Sequence, residues 1–208
     1  MYNVDNYSHL KYNKYGVIKL PFEAKNTTAG PVAEAIRSRR SIKTNYSKEP
    51  VPGELVRDIL EDAVYAPNHG LREPWRFLFI SSERKDAFVE ELVTLFPRDR
   101  QDNRRDYFSQ PSAFLVVVMK EDPRQKENEE NYSACAALIQ NFQLLAWERK
   151  LGVCWKTQPH VWDPKALRIL GVQPGEKIVG FLHLGFFDDE NVPAPKERSP
   201  LEEKLSFF

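Results

Sequence analysis

The sequence predicts a three-layer α/β or α+β sandwich, because segments with a strand pattern alternate with segments with a helix pattern. Residues 113–119 are apolar on both faces, which is typical of a central strand covered on both sides. Residues 176–187 contain a second long apolar run and predict another strand. Residues 132–151 carry apolar side chains almost all around a helix, which indicates burial on more than one side. A subunit interface or a central core position would each explain that burial.

The first part of the chain predicts an extension, two helices and a strand. Residues 1–30 lack clear periodicity, and we expect an N-terminal extension there. Pro31 is well placed to open the first helix, which ends at two arginines. The second helix starts near Pro52 and is stopped by Pro67. Aromatic and branched residues at 75–81 predict a strand. From residue 31 to the end of the chain we expect a single domain with a C-terminal tail.

The remaining segments are shorter or more charged. Residues 83–96 have the apolar spacing of a helix. The charge run at 98–106 fits a solvated helix face or a loop, and we assign it no function. Residues 124–131 are also charged, and we expect a mobile loop there. Residues 152–155 predict a short strand, and 164–170 a short helix.

Composition excludes several classes of function. Thirty basic residues balance thirty acidic ones, so no global positive field attracts nucleic acid or an anionic membrane. No apolar run approaches the ~20 residues of a membrane span, and the N-terminus has no apolar signal core. The two cysteines, Cys135 and Cys154, lack a metal or redox spacing and predict buried thiols in a reducing compartment. We therefore expect a soluble, cytoplasmic protein.

Common motifs for nucleotides, metals and hydrolysis are absent from the sequence. Neither G-x-G-x-x-G nor G-x-x-x-x-G-K occurs, so a bound phosphate must be held mainly by side chains. The four histidines have no metal-ligand spacing, and His183, in the middle of an apolar strand, predicts a satisfied core histidine. No G-x-S-x-G elbow is present. We predict no metal site and no catalytic side chain. The basic candidates for a phosphate are Arg39, Arg40, Lys43, Lys196 and Arg198.

Two segments suggest a binding pocket when they are taken together. Arg39-Arg40-Ser41 offers two guanidiniums and a hydroxyl where a helix ends, and arginine matches phosphate oxygens. Residues 66–69 form a Pro-Asn-His turn that leads into an aromatic strand. This combination favours a ligand that is phosphorylated, flat and aromatic. The arginines alone have a simpler explanation, since a basic helix C-terminus is favoured by the helix dipole.

Four ordered segments of this chain resemble the nitroreductase family of FMN-dependent enzymes, and most closely its small bacterial NAD(P)H nitroreductases. The similarity runs from about Pro31 to Arg198. The matching segments are residues 36–43, 66–77, 152–157 and 177–185. The resemblance implies an α+β sandwich with a mostly antiparallel central sheet, in an intertwined homodimer. It also implies two FMN sites at the subunit interface, each with residues from both chains.

The resemblance further implies a role for individual residues. Arg39, Arg40 and Ser41 would meet the FMN phosphate and ribityl chain, and Lys43 would lie near the pyrimidine end of the ring. Tyr65 and His69 would reach the flavin from the partner chain, although a relative has arginine at the position of Tyr65. The remaining cofactor-binding candidates are Trp155, Lys156, Thr157, Lys196 and Arg198.

The activity implied is hydride transfer from NADH or NADPH through FMN to a nitroaromatic or quinone, by a ping-pong mechanism. Lys43 is the candidate for tuning the flavin. An FMN-binding dimer that stores or senses flavin is the alternative, and the N-terminal tyrosines could then cover the ring. A domain without flavin, in which the arginines only end a helix, is the third hypothesis.

Overall fold

The computed structural model describes residues 30–207 and, in the N-terminal part, the backbone of two short segments. These segments, β1 (Lys11–Tyr12) and β2 (Ile18–Lys19), form an antiparallel pair. The rest of the predicted N-terminal extension lies outside the described residues. The chain divides into two compact units: one is Pro31–Pro193, and the other joins Met1–Gly30 with Ala194–Phe208.

A four-stranded antiparallel sheet forms the middle layer of the larger unit, with the strand order β3-β4-β6-β5. The predicted buried strand at 113–119 is confirmed, because every residue of β4 except Lys120 is buried. The two strands beside β4 are β3 and β6, so its backbone is paired on both edges. The strands are β3 (Trp75–Ile80), β4 (Ala113–Lys120), β5 (Leu151–Lys156) and β6 (Glu176–Phe186).

Helices cover both faces of this sheet and bury two separate apolar clusters. The cluster on one face contains residues of α2 and α5, and the cluster on the other contains residues of α3, α4 and α6. This arrangement confirms the predicted α+β three-layer sandwich. The helices are α1 (Pro31–Ser38), α2 (Gly53–Ala63), α3 (Ser82–Val93), α4 (Arg98–Ser109), α5 (Gln125–Glu148) and α6 (Pro164–Ile169). Within the described residues, none of the helices is long and apolar enough to cross a membrane.

The mobile loop predicted at 124–131 is wrong, because α5 already begins at Gln125. Its charges support the helix. Arg124 pairs with Asp122 at 2.9 Å and with Glu127 at 3.2 Å, and Glu127 lies in the first turn, where the helix dipole favours an acid. The charge run at 98–106 is also helical, and α4 is anchored by Phe108, which is fully buried.

A pair of glycines fixes the loop after α1 to the sheet. Gly152 of β5 lies opposite Gly185 of β6. A Cβ on Gly152 would lie 2.8 Å from Ile42, and one on Gly185 would lie 2.7 Å from the ring of Tyr46. The backbone N–H of Ser47 also donates to the carbonyl of Phe186 at 2.8 Å. Residues 42–47 therefore pack directly on the backbone of β5 and β6.

Replacement of Gly152 by alanine is expected to destabilise the protein. The added methyl group would overlap Ile42, which is buried, so the loop or the strand must move. Overpacking of this kind costs about 1–3 kcal/mol of unfolding free energy. Urea unfolding of Gly152→Ala should show this loss. The control is Gly30→Ala, where a Cβ meets nothing within 4 Å. Equal stability of the two variants would contradict the packing described here.

Candidate cofactor site

The loop after α1 holds four of the predicted cofactor residues on an anchored backbone. Ile42, at its centre, is only 1% exposed and packs on β5. Arg39, Arg40 and Ser41 are half-buried on its N-terminal side, and Lys43 is exposed on the other. The burial of one apolar side chain thus holds a run of basic and hydroxyl groups in a fixed place at the edge of the sheet.

Arg40 has a structural task of its own. Its Nη1 donates to the carbonyls of Arg37, Ser38 and Arg39, at 2.6, 2.9 and 2.9 Å. These are carbonyls at the C-terminal end of α1, which lack partners within the helix. Arg40 therefore caps the C-terminal end of α1, which agrees with the simpler explanation that basic residues are favoured at a helix C-terminus. Contact of Arg39 and Ser41 with an anion stays a prediction.

The C-terminal end of β5 carries the next three predicted residues, which point in different directions. Trp155 faces the helix α5: its indole N–H donates to the carbonyl of Val179 at 3.0 Å, and its ring packs over Gly180. Its side chain is thus part of the core. Lys156 is half-buried on the opposite face of the sheet, and Thr157 is exposed just after the strand. A ligand at this end meets Lys156 and Thr157 first.

These two groups of residues lie at the two ends of one edge strand. Ile42 contacts β5 at Gly152, and Lys156 lies four residues further along the same face. Strand geometry makes that separation roughly 13 Å. The structure therefore brings a basic loop to one end of β5 and a lysine to the other. An extended ligand with a phosphate at one end and an electron-accepting ring at the other fits this arrangement.

The turn with Tyr65 and His69 lies at the surface, after α2. Tyr65 is 87% exposed, and His69 is exposed as well. The turn that follows is strained, since Leu71 and Glu73 have φ angles of +49° and +43°, a region that side chains disfavour. The amide side chain of Asn68 accepts a hydrogen bond from the backbone N–H of Glu73 at 3.0 Å and stabilises this turn.

Ion pairing ties the same turn to α5. Arg72 pairs with Glu130 at 2.5 Å and donates to the side chain of Asn131 at 3.1 Å. Both partners lie in the first turns of α5, in the segment that sequence analysis took for a loop. The exposed Tyr65 and His69 therefore lie next to a turn that is fixed to α5 by these contacts.

Lys196 and Arg198 belong to the second unit of the chain. Both are exposed, and Nη1 of Arg198 donates to the carbonyl of Lys196 at 3.0 Å. Their role at a phosphate stays a prediction.

A cluster of histidines and aromatic rings lies under the end of α4. His183 of β6 is 2% exposed, which confirms its predicted core position, and His160 is 6% exposed. The prediction of a satisfied ring is wrong, because the buried Nε2 of His183 has no hydrogen-bond partner among the described residues. The ring centroid of Phe108 lies 5.3 Å from that of His160 and 6.0 Å from that of His183. Burial lowers the pKa of His183 to about 3, with a further contribution from Lys156. Burial also lowers the pKa of His160 to about 4, so both rings are neutral at neutral pH.

Tyr107 connects this cluster to the end of β5, and sequence analysis missed it. Its hydroxyl accepts a hydrogen bond from Nε2 of Gln158 at 3.1 Å. The ammonium of Lys156 lies 5.5 Å from the centroid of its ring. Burial alone would lower the pKa of Lys156, but the contacts with Tyr107 and Cys154 raise it overall. In the sequence, the only sign of this role was that an aromatic residue follows the charge run at 98–106.

A polar cavity of about 700 Å³ lies beside the anchored loop, but none of the predicted cofactor residues lines it. Its walls come from residues 44–50, the start of α3 and the residues after α4. Trp155 packs against the core, and the other predicted residues are half-buried or exposed in the single chain. Among the described residues, no group of three or more His, Cys, Asp or Glu side chains could hold a metal ion.

Comparison with known proteins agrees with the resemblance found in the sequence. The family model described as the Nitroreductase family matches residues 36–186. The Bacillus subtilis protein named "Putative NAD(P)H nitroreductase YfhC" is 34% identical over 181 residues, which cover 83% of this chain and 92% of that protein. A nitroreductase-like protein from Bacillus cereus, solved as a crystal structure, has a TM-score of 0.80 and 38% identity and covers 88% of this chain and 98% of its own. A nitroreductase from Desulfovibrio desulfuricans, solved in complex with FMN, has a TM-score of 0.69 and 27% identity, over 86% of this chain and 96% of that one.

The chain therefore belongs to the nitroreductase family, and the protein is an oxidoreductase. The family model begins at Ile36, in α1, and ends at Phe186, the last residue of β6. It thus spans both the anchored loop and the end of β5.

The buried histidines predict a loss of stability in acid. In the unfolded chain histidine protonates below about pH 6.5, but in the folded protein His183 does so only near pH 3. The unfolded state binds more protons between these values, so the unfolding free energy falls as the pH falls. Between about pH 7.5 and about pH 5, His183→Phe should lose ~2 kcal/mol less than the unchanged protein. The exposed His69→Phe serves as the control. Urea unfolding at both pH values measures the difference, and equal pH dependence of all three proteins would refute it.

Proposed function

We propose that this oxidoreductase binds FMN, takes hydride from NADH or NADPH and reduces nitroaromatic or quinone acceptors by a ping-pong mechanism. The observation that carries the proposal is the placement of an anchored basic loop and Lys156 at the two ends of one edge strand. The names of the relatives agree: one is named "Putative NAD(P)H nitroreductase YfhC", and another was solved in complex with FMN.

In this proposal the chain divides the binding work between its two ends. Arg39 and Ser41 hold the phosphate, since guanidinium and hydroxyl donors match its oxygens. Lys156 provides positive charge near the ring, which favours an electron-rich flavin, and Lys43 extends from the anchored loop toward the pyrimidine end of that ring. When bound, FMN supplies the hydride chemistry, so no protein nucleophile is required. Lys196 and Arg198 remain further candidates for contact with the phosphate.

We further propose that the site is completed in a homodimer. Several large apolar side chains on and near α1 and α2 are exposed in the single chain. They are Val32, Ile36, Tyr65 and Leu71, which are 70%, 54%, 87% and 82% exposed. A second chain would cover them. Tyr65 and His69 would then approach the flavin of the partner. The acceptor would be a small aromatic molecule in the open slot beside the ring.

An absorbance spectrum tests the proposed function. The purified protein is expected to show flavin bands that bleach on anaerobic addition of NADPH or NADH and return when a quinone is added. Flavin bands that neither donor bleaches would favour a flavin store or sensor. Absence of flavin binding, even after FMN is added, would overturn the proposal.

Substitution of Arg39 tests the phosphate assignment. Arg39→Ala should weaken FMN binding by about 10–100-fold, because a charge-assisted hydrogen bond contributes about 1.5–3 kcal/mol. Arg37→Ala is the matched control, since Arg37 is an exposed arginine in the last turn of α1, two residues before Arg39. Flavin fluorescence titration of the apoprotein measures both affinities. If Arg39→Ala and Arg37→Ala bind FMN alike, the phosphate is held elsewhere.

A further inference from the structure

Two cations meet at the ring of Tyr107. The guanidinium carbon of Arg104 lies 5.7 Å from its centroid, and the ammonium of Lys156 lies 5.5 Å from the same centroid. Arg104 is also 5.7 Å from the ring of Phe96, so two aromatic rings flank its guanidinium. Gln158 holds the hydroxyl of Tyr107. Both positive groups thus lie against the ring of Tyr107.

Most buried or half-buried arginines of this protein are neutralised, which makes Arg104 unusual. Its neighbour Arg105 pairs with Glu90 at 2.7 Å and with Asp102 at 2.6 Å. Arg72 and Arg76 pair with carboxylates in the same way. In the part of the chain that the structure describes, neither Arg104 nor Lys156 makes an ion pair with a carboxylate.

The charges of Asp163 and Arg104 both act on the buried His160, but the carboxylate of Asp163 accepts the backbone N–H of Lys165 at 2.7 Å and caps α6. Neither of the two cations at Tyr107 has a carboxylate partner among the described residues, so an anion that reached both would be attracted by two positive charges. Such an anion would interact with both positive charges, and the molecule that carries it could stack on the ring of Tyr107.

We propose that Arg104 and Lys156, spaced by Tyr107, form a subsite for an oxyanion, a carboxylate or a phosphate, on a molecule that enters the proposed flavin site. The inference rests on the proposed function only for the position of that molecule, since Lys156 belongs to the predicted flavin-lining segment. The subsite selects acidic aromatic acceptors over neutral ones of the same shape, or it receives a phosphate of the nicotinamide donor.

Binding without turnover tests the subsite directly. The FMN-loaded protein is titrated calorimetrically with 4-nitrobenzoate and with 4-nitrobenzyl alcohol, in the absence of a hydride donor. The benzoate should bind about tenfold more tightly, and rising salt should reduce that advantage. Arg104→Met keeps the packing of the stem without the charge and should abolish the difference. Arg104→Lys should restore most of it. Arg100→Gln, an exposed arginine one turn earlier on α4, should leave it unchanged.

Steady-state kinetics then separate the two possible sources of the oxyanion. A loss in kcat/KM for nitrobenzoate in Arg104→Met, with the donor unaffected, assigns the subsite to the acceptor. A loss confined to NADPH or to both nicotinamide donors assigns it to a donor phosphate. Equal affinity for the two nitro compounds, together with unchanged kinetics for acceptor and donor in Arg104→Met, would overturn the subsite and leave the proposed function intact. Selective nitrobenzoate binding without flavin reduction by either donor would instead overturn the proposed function.

Discussion

The candidate site depends on one close contact: the anchored loop lies directly on the backbone of the sheet at Gly152 and Gly185. Any side chain at these two positions would displace Ile42 and Tyr46. Because the two glycines face each other across β5 and β6, they leave a shallow groove in an otherwise packed sheet. The loop fills this groove, and the residues on either side of Ile42 take their positions from it. Without the groove, Arg39 and Lys43 would have no fixed relation to the end of β5.

The two faces of the sheet are used differently. The face under α5 is apolar, and even the indole of Trp155 is satisfied within it. The face under α4 carries two neutral histidines among aromatic rings, with a lysine and a tyrosine at its margin. A cation beside such a cluster is less screened than one in open water. The chemistry that the protein can support is therefore concentrated at the edge of this second face, where β5 ends.

The sequence predicts the layers and the anchored loop better than the side chains around them. Strand β4 was evident because it is apolar throughout, and Arg39-Arg40-Ser41 stood out as a motif. The start of α5 was missed because a run of charged residues is typical of an exposed loop. In the structure, Glu130 in this run pairs with Arg72, which is distant in the sequence. The direction of Trp155 and the contacts of Tyr107 depend on tertiary packing. No local pattern records which face of a strand a neighbouring helix will cover.

Charge placement distinguishes the parts of this surface that serve stability from those open to a ligand. Arg72, Arg76 and Arg105 each have a carboxylate within hydrogen-bonding distance. Arg40 donates hydrogen bonds to the carbonyls at the end of α1. A cation that is already paired in this way contributes little to ligand binding, because the ligand would have to replace the contacts that the cation already makes. Lys156 and Arg104 differ, since both lie against the ring of Tyr107 and, among the described residues, neither pairs with a carboxylate. Positive charge that is held in place but not neutralised is thus available where we propose that a ligand binds.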